Sequence, residues 1–131
     1  MEENKLNILI VDDEASAGRV LKAGLEMHGF TVRYEIRSTG VLEACLEFHP
    51  DLVLLDVDMP GKDGGLVAAE MQCHPTLKRI PVIFLTALAS KAEAENVSRQ
   101  IIMSKSCSMA ELVARIRAVL HVQAPHGTAG T

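Results

Sequence analysis

Five short apolar runs, Leu6 to Val11, Thr31 to Ile36, Leu52 to Leu55, Val82 to Leu85 and Ile101 to Met103, are separated by longer amphipathic stretches. Strand-length segments alternating with helix-length ones specify an α/β domain built on a parallel sheet, because each crossover between parallel neighbours has room for a helix. Four of the runs are nearly continuous in apolar residues, as strands covered by helices on both faces must be. The second is different: Val32, Tyr34 and Ile36 alternate with Thr31, Arg33 and Glu35, which places it at an edge of the sheet.

The intervening stretches read as helices. Ala17, Val20, Leu21, Gly24 and Leu25 share one helical face, and Gly29 is placed to end that helix. Residues 40–49 and 64–74 supply the next two helices. A fourth near Ser90 to Val97 and a fifth beginning at Ser108 both open on a capping-box pattern, Ser90-Lys91-Ala92-Glu93 and Ser108-Met109-Ala110-Glu111. Leu112, Ile116, Val119 and Leu120 give the fifth helix a core stripe. The expected architecture is (βα)5, a doubly wound five-stranded parallel sheet over residues 1–122. Gln123 to Thr131 turns to Ala, Pro, Gly, Thr and His, and reads as a flexible tail or a truncated linker.

With 131 residues and 48% hydrophobic composition, the chain suits one domain that buries a core without staples. A formal net charge of −4 gives no basic footprint for direct nucleic-acid binding. Cys45, Cys73 and Cys107 are odd in number and lack CxxC spacing, so they read as reduced thiols of a cytoplasmic protein rather than as a disulfide framework or zinc site. No apolar run approaches the length of a membrane span, and Met1 to Lys5 is polar and acidic where a signal peptide is basic and then apolar. The five histidines are scattered and suit surface or helix-end positions.

In an open parallel sheet, ligands bind outside the carboxyl ends of the strands, and the informative charges of this chain fall there. Strand one ends in Val11-Asp12-Asp13-Glu14, strand three in Leu55-Asp56-Val57-Asp58 and strand four in Thr86-Ala87, while Ser104-Lys105 follows strand five. An aspartate after a strand is by default a helix cap or turn residue, and a lone lysine a solvated one. That default gives no reason for Asp12, Asp13, Asp56, Thr86 and Lys105 to meet on one rim. Clustered carboxylates repel and call for a cation, and an all-oxygen site suits Mg²⁺. An aspartate neutralised in this way can attack phosphorus, with Lys105, the Thr86 hydroxyl and the Ala87 amide meeting the charge on the phosphoryl oxygens.

As a set, Ile10-Val11-Asp12-Asp13-Glu14, Leu54 to Gly64, Phe84-Leu85-Thr86-Ala87 and Lys105 resemble the receiver domain of bacterial two-component response regulators, over residues 5–122. The resemblance implies a flavodoxin-like sheet in the order 2-1-3-4-5 and a signalling phosphoacceptor, an enzyme only toward its own phosphorylation and dephosphorylation. Asp56 would take a phosphoryl group from a sensor histidine kinase, a phosphotransfer protein or a small phosphodonor. Asp13, Asp56 and the Asp58 backbone carbonyl would hold Mg²⁺, with Asp12 acting through water. Lys105 would pair with the phosphoryl group, and Thr86 would swing toward it and carry the signal to an output. By the same resemblance, the first helix and the turn after strand five form the kinase-docking face.

The segment before and around strand five departs from the family's pattern. A Gly-Ala pair, an aromatic residue and a proline are replaced by Ser98-Arg99, Ile102 and Ser106, and the stretch from Thr86 to Lys105 is about one helical turn short. An altered output face follows. So does a trans Lys105–Ser106 bond, since a non-proline cis peptide costs about 3 kcal/mol.

Two other readings use the same residues. A phosphatase of the haloacid-dehalogenase class also carries a DxD motif like Asp56-Val57-Asp58, but on its first strand and without a following Met-Pro. A receiver-fold interaction module, its output decoupled from phosphorylation, would need no repelling carboxylates. A flavin or nucleotide carrier lacks its GxGxxG or Walker loop here.

Overall fold

The computed structural model describes residues 5–56, 64–86 and 101–123. In chain order these form β1 (Asn7–Val11), α1 (Ala15–Met27), β2 (Thr31–Glu35), a 3₁₀ turn (Ser38–Gly40), α2 (Val41–Phe48), β3 (Leu52–Asp56), α3 (Gly64–Gln72), a second 3₁₀ turn (Leu77–Arg79), β4 (Val82–Thr86), β5 (Ile101–Ser104) and α4 (Met109–Gln123). The helix expected near Ser90 to Val97 lies outside the described residues, as do Val57 to Asp63 and the final eight residues. α4 is thus the fifth helix of the sequence pattern.

All strand pairs are parallel, in the order β2-β1-β3-β4-β5. Alternation along the central strands produces two cores, one on each face. Leu9, Val11, Val53, Leu55 and Phe84 pack with Val41, Cys45, Val67 and Met71 of α2 and α3. On the other face, Ile8, Ile10, Leu52, Leu54, Ile83 and Leu85 pack with Leu25, Leu112 and Ile116 of α1 and α4. This two-sided burial is the physical reason for the near-continuous apolar runs.

Helix ends follow the sequence signals. The Ser108 Oγ accepts from the Glu111 N–H at 3.0 Å, and the Glu111 Oε1 accepts from the Ser108 N–H at 3.0 Å, a reciprocal capping box. Gly29 follows α1 with φ +95°, a backbone region nearly free of cost only to glycine, and its N–H donates to Glu26 while Phe30 N–H donates to Leu25. His28 and His49 are the C-terminal caps of α1 and α2. The Lys105–Ser106 peptide is trans, as expected without proline.

One expectation is corrected. Val20 shares the apolar helical face of α1 by spacing, yet it is 68% exposed, while Gly18 is buried. Helical periodicity places Val20 toward α4, but α1 and the turn before α4 leave a groove there, and Val20 lines it.

Candidate functional site

β3, β4 and β5 each run one residue past their apolar runs, and this places the reactive groups. Asp56, Thr86 and Ser104 are the last residues of β3, β4 and β5, hydrogen-bonded into the ladder, so their side chains stand at fixed points on the carboxyl rim. Asp12 follows β1 directly and is 1% exposed, as is Asp56; Thr86 is also buried, whereas Asp13 is open to solvent.

Carboxylate oxygens of Asp12, Asp13 and Asp56 lie within 4.8 Å of one another. Lys105 crosses the rim to join them: its backbone N–H donates to the Thr86 carbonyl at 2.9 Å, and its Nζ donates to Asp56 Oδ2 at 3.0 Å. The same Nζ is 3.2 Å from Asp12 Oδ2, an ion pair without hydrogen-bond alignment. Burial alone would lower the Lys105 ammonium's pKa, but the hydrogen bond to Asp56 and the fields of Asp12 and Asp56 outweigh it and hold it above its ordinary value. Asp12 is held above the ordinary carboxylate value, chiefly by burial, against the opposing pull of the Glu14 N–H and Lys105.

This donor set fits Mg²⁺. All the side-chain donors are carboxylate oxygens, a hard cation's preferred ligands, and Asp12 Oδ2 is a buried oxygen with no hydrogen bond. Asp12, Asp13 and Asp56 would hold the ion, which would offset the mutual repulsion of their carboxylates. The remaining residues expected here, Ala87 and the Asp58 carbonyl, lie outside the described residues.

The structure adds two features. An open, mainly apolar groove of about 450 Å³ runs beside the rim between α1 and the turn into α4, lined by Ala17, Val20, Leu21, Cys107 and Met109, with Asp12 and Lys105 also on its wall. Gly24 admits the Met109 side chain against α1, where a Cβ would overlap its terminal methyl. The second feature is Tyr34 on β2, whose hydroxyl donates to the Asp12 backbone carbonyl at 2.6 Å. Its pKa is raised, first by burial and then by the nearby Asp12 and Asp13 charges, which keeps it a neutral donor. Strand alternation placed Tyr34 on the apolar face; nothing in the sequence pairs its hydroxyl with a carbonyl 22 residues away.

Open parallel sheet, acidic rim and bridging lysine together define an α/β domain whose charged groups gather at the carboxyl ends of its strands. The profile of the family described as "Response regulator receiver domain" matches residues 8–117, and this chain belongs to that family. It is 39% identical over 123 residues to "Probable transcriptional regulator ycf27" of Cyanophora paradoxa, covering 92% of this chain and 50% of that protein. The chain spans about half the length of the curated relatives it matches. Among solved structures, it is similar to a putative response regulator from Chloroflexus aurantiacus J-10-fl, with a TM-score of 0.80 and 26% identity, covering 90% of this chain and 99% of that one. It is also similar to the BeF3-activated N-terminal receiver domain of Klebsiella pneumoniae RstA, with a TM-score of 0.76 and 30% identity, covering 87% of this chain and 97% of that one. No helix among the described residues is long and apolar enough to cross a membrane.

Proposed function

We propose that this receiver domain is a phosphoacceptor that takes a phosphoryl group onto Asp56 in the presence of Mg²⁺ and switches conformation to control an output. The observation that supports this best is the bridging of Asp12 and Asp56 by Lys105 Nζ beside the exposed Asp13. A carboxylate oxygen of Asp56 forms the new bond to phosphorus, while the bond from phosphorus to a histidine nitrogen of the donor breaks and that nitrogen keeps the electron pair. The ion supplies charge neutralisation when bound. Lys105 then pairs with the incoming phosphoryl oxygens, and Thr86, at the end of β4, supplies a hydroxyl on the same rim.

The donor is a sensor histidine kinase or a phosphotransfer protein of the cytoplasm. Its helix would dock on α1 and the groove that opens toward Lys105. The domain itself contacts neither nucleic acid nor membrane in this reading, and its catalysis is limited to its own phosphorylation and dephosphorylation. Ile102, where the family carries an aromatic residue, packs against the core on the α2 and α3 face, so the output surface differs from the family's pattern. A module decoupled from phosphorylation is disfavoured by Lys105, which reaches both carboxylates despite the unusual residues beside it.

Beryllofluoride, a phosphoryl mimic, tests the reading through thermal melting. It should raise Tm only when Mg²⁺ is present and only while position 56 is aspartate. Equal responses from wild type and Asp56→Asn would overturn it.

A further inference from the structure

Asp12 is fastened to the edge strand by both of its backbone polar groups. Its N–H donates to the Glu35 carbonyl at 3.2 Å, and its carbonyl accepts from the Tyr34 hydroxyl at 2.6 Å. Its side-chain Oδ1 accepts from the Glu14 N–H at 2.9 Å. Oδ2 has no hydrogen bond and pairs with Lys105 Nζ at 3.2 Å, and the Asp12 carboxylate has an oxygen within 4.8 Å of those of Asp13 and Asp56. The tyrosine ring reaches this position by lying against Gly18 of α1, where a Cβ would overlap ring carbons Cε1 and Cζ. A glycine inside a helix weakens it, so this close approach has a cost in local stability.

We propose that Tyr34, seated on Gly18, is a positioning residue that fixes the Asp12–Asp13 turn in its cation-binding geometry. The proposal rests on the reading of this rim as the Mg²⁺ and phosphoacceptor site, and it adds a residue from the edge strand to that site's support. Without the hydroxyl, the Asp12 carbonyl loses the hydrogen bond that ties it to β2, and the turn can rotate its carboxylates away from one another to relieve their repulsion. Mg²⁺ would then have to pull them back together, and its affinity falls.

Tyr34→Phe keeps the ring over Gly18 and removes only the hydroxyl. Calorimetric titration with Mg²⁺ alone should show affinity about tenfold weaker than in wild type, the lower end of what loss of a ligand's supporting partner costs. Phosphorylation by acetyl phosphate should slow at limiting Mg²⁺ and recover at saturating Mg²⁺. Gly18→Ala, which displaces the ring but keeps the hydroxyl, should weaken Mg²⁺ in the same way; if that variant fails to fold, Tyr34→Phe carries the test alone. The chain has one tyrosine and no tryptophan, so its ultraviolet emission reports Tyr34 and should follow Mg²⁺ with the midpoint found by calorimetry. A Tyr34→Phe protein with a lower Tm but unchanged Mg²⁺ affinity would overturn the proposal and leave the phosphoacceptor reading intact. A wild type that binds no Mg²⁺ and accepts no phosphoryl group would overturn both.

Discussion

Lys105→Met removes the cation that pairs with both Asp12 and Asp56 while keeping most of the side chain's apolar length. Its Nζ lies 3.0 Å from one carboxylate and 3.2 Å from the other, each worth about 5 kcal/mol of gross attraction at an effective dielectric constant of about 20. Most of this is offset by the desolvation of the three groups. Removing one partner of a fully buried pair costs about 3–5 kcal/mol, and the 25% exposure of the lysine side chain reduces the expected loss to about 2–3 kcal/mol. For a domain of this size that is a fall in Tm of roughly 10 °C without metal. Mg²⁺ supplies the missing positive charge, so saturating Mg²⁺ should raise the Tm of Lys105→Met by more than it raises that of wild type. The assay is differential scanning calorimetry of both proteins with EDTA and with Mg²⁺. A metal-free Tm equal to wild type would refute the electrostatic reasoning, as would a deficit that Mg²⁺ leaves unchanged.

Further outcomes follow from the same geometry. The raised Asp12 pKa means that its contribution to stability is complete below the ordinary carboxylate value and is lost as pH rises through the folded value. Asp12→Asn keeps an acceptor for the Glu14 N–H, so metal-free urea titrations across mildly acidic pH should show a smaller decline in stability with rising pH for Asp12→Asn than for wild type; parallel curves would contradict this. Ser108→Ala removes the oxygen that caps the Glu111 N–H and should cost about 1 kcal/mol in urea denaturation, with no change in Mg²⁺ affinity. A loss below the error of the measurement would show that the cap contributes nothing.

The sheet was legible because burial on two faces leaves a run of Leu, Ile and Val that little else explains, and the observed strands agree with those runs to within a residue at each end. The single alternating run, at Thr31 to Ile36, is the edge strand β2. The charged rim was legible for a related reason: a parallel sheet brings all its strand ends to one side, so Asp12, Asp56, Thr86 and Lys105 had to converge whatever their separation in sequence. Periodicity failed at Val20, because a hydrophobic spacing identifies the side of a helix that faces its neighbours but not the distance at which those neighbours stand. It also gave no warning of Gly18 and Tyr34. A glycine presents no side chain to count, and the partner of a half-buried tyrosine's hydroxyl is set by how α1 packs on β2, which no local pattern encodes. Ile102 and Ser106 stood out only against the resemblance.

The central claim is that Asp56 accepts a phosphoryl group because Asp12, Asp13 and Lys105 are assembled around it. Intact-mass spectrometry after incubation with acetyl phosphate or phosphoramidate and Mg²⁺ tests it most directly. Wild type should gain the mass of one phosphoryl group, and Asp56→Asn, or wild type in EDTA, should gain none. A folded wild type that binds Mg²⁺ yet stays unmodified would contradict the claim, as would an adduct of equal yield on Asp56→Asn.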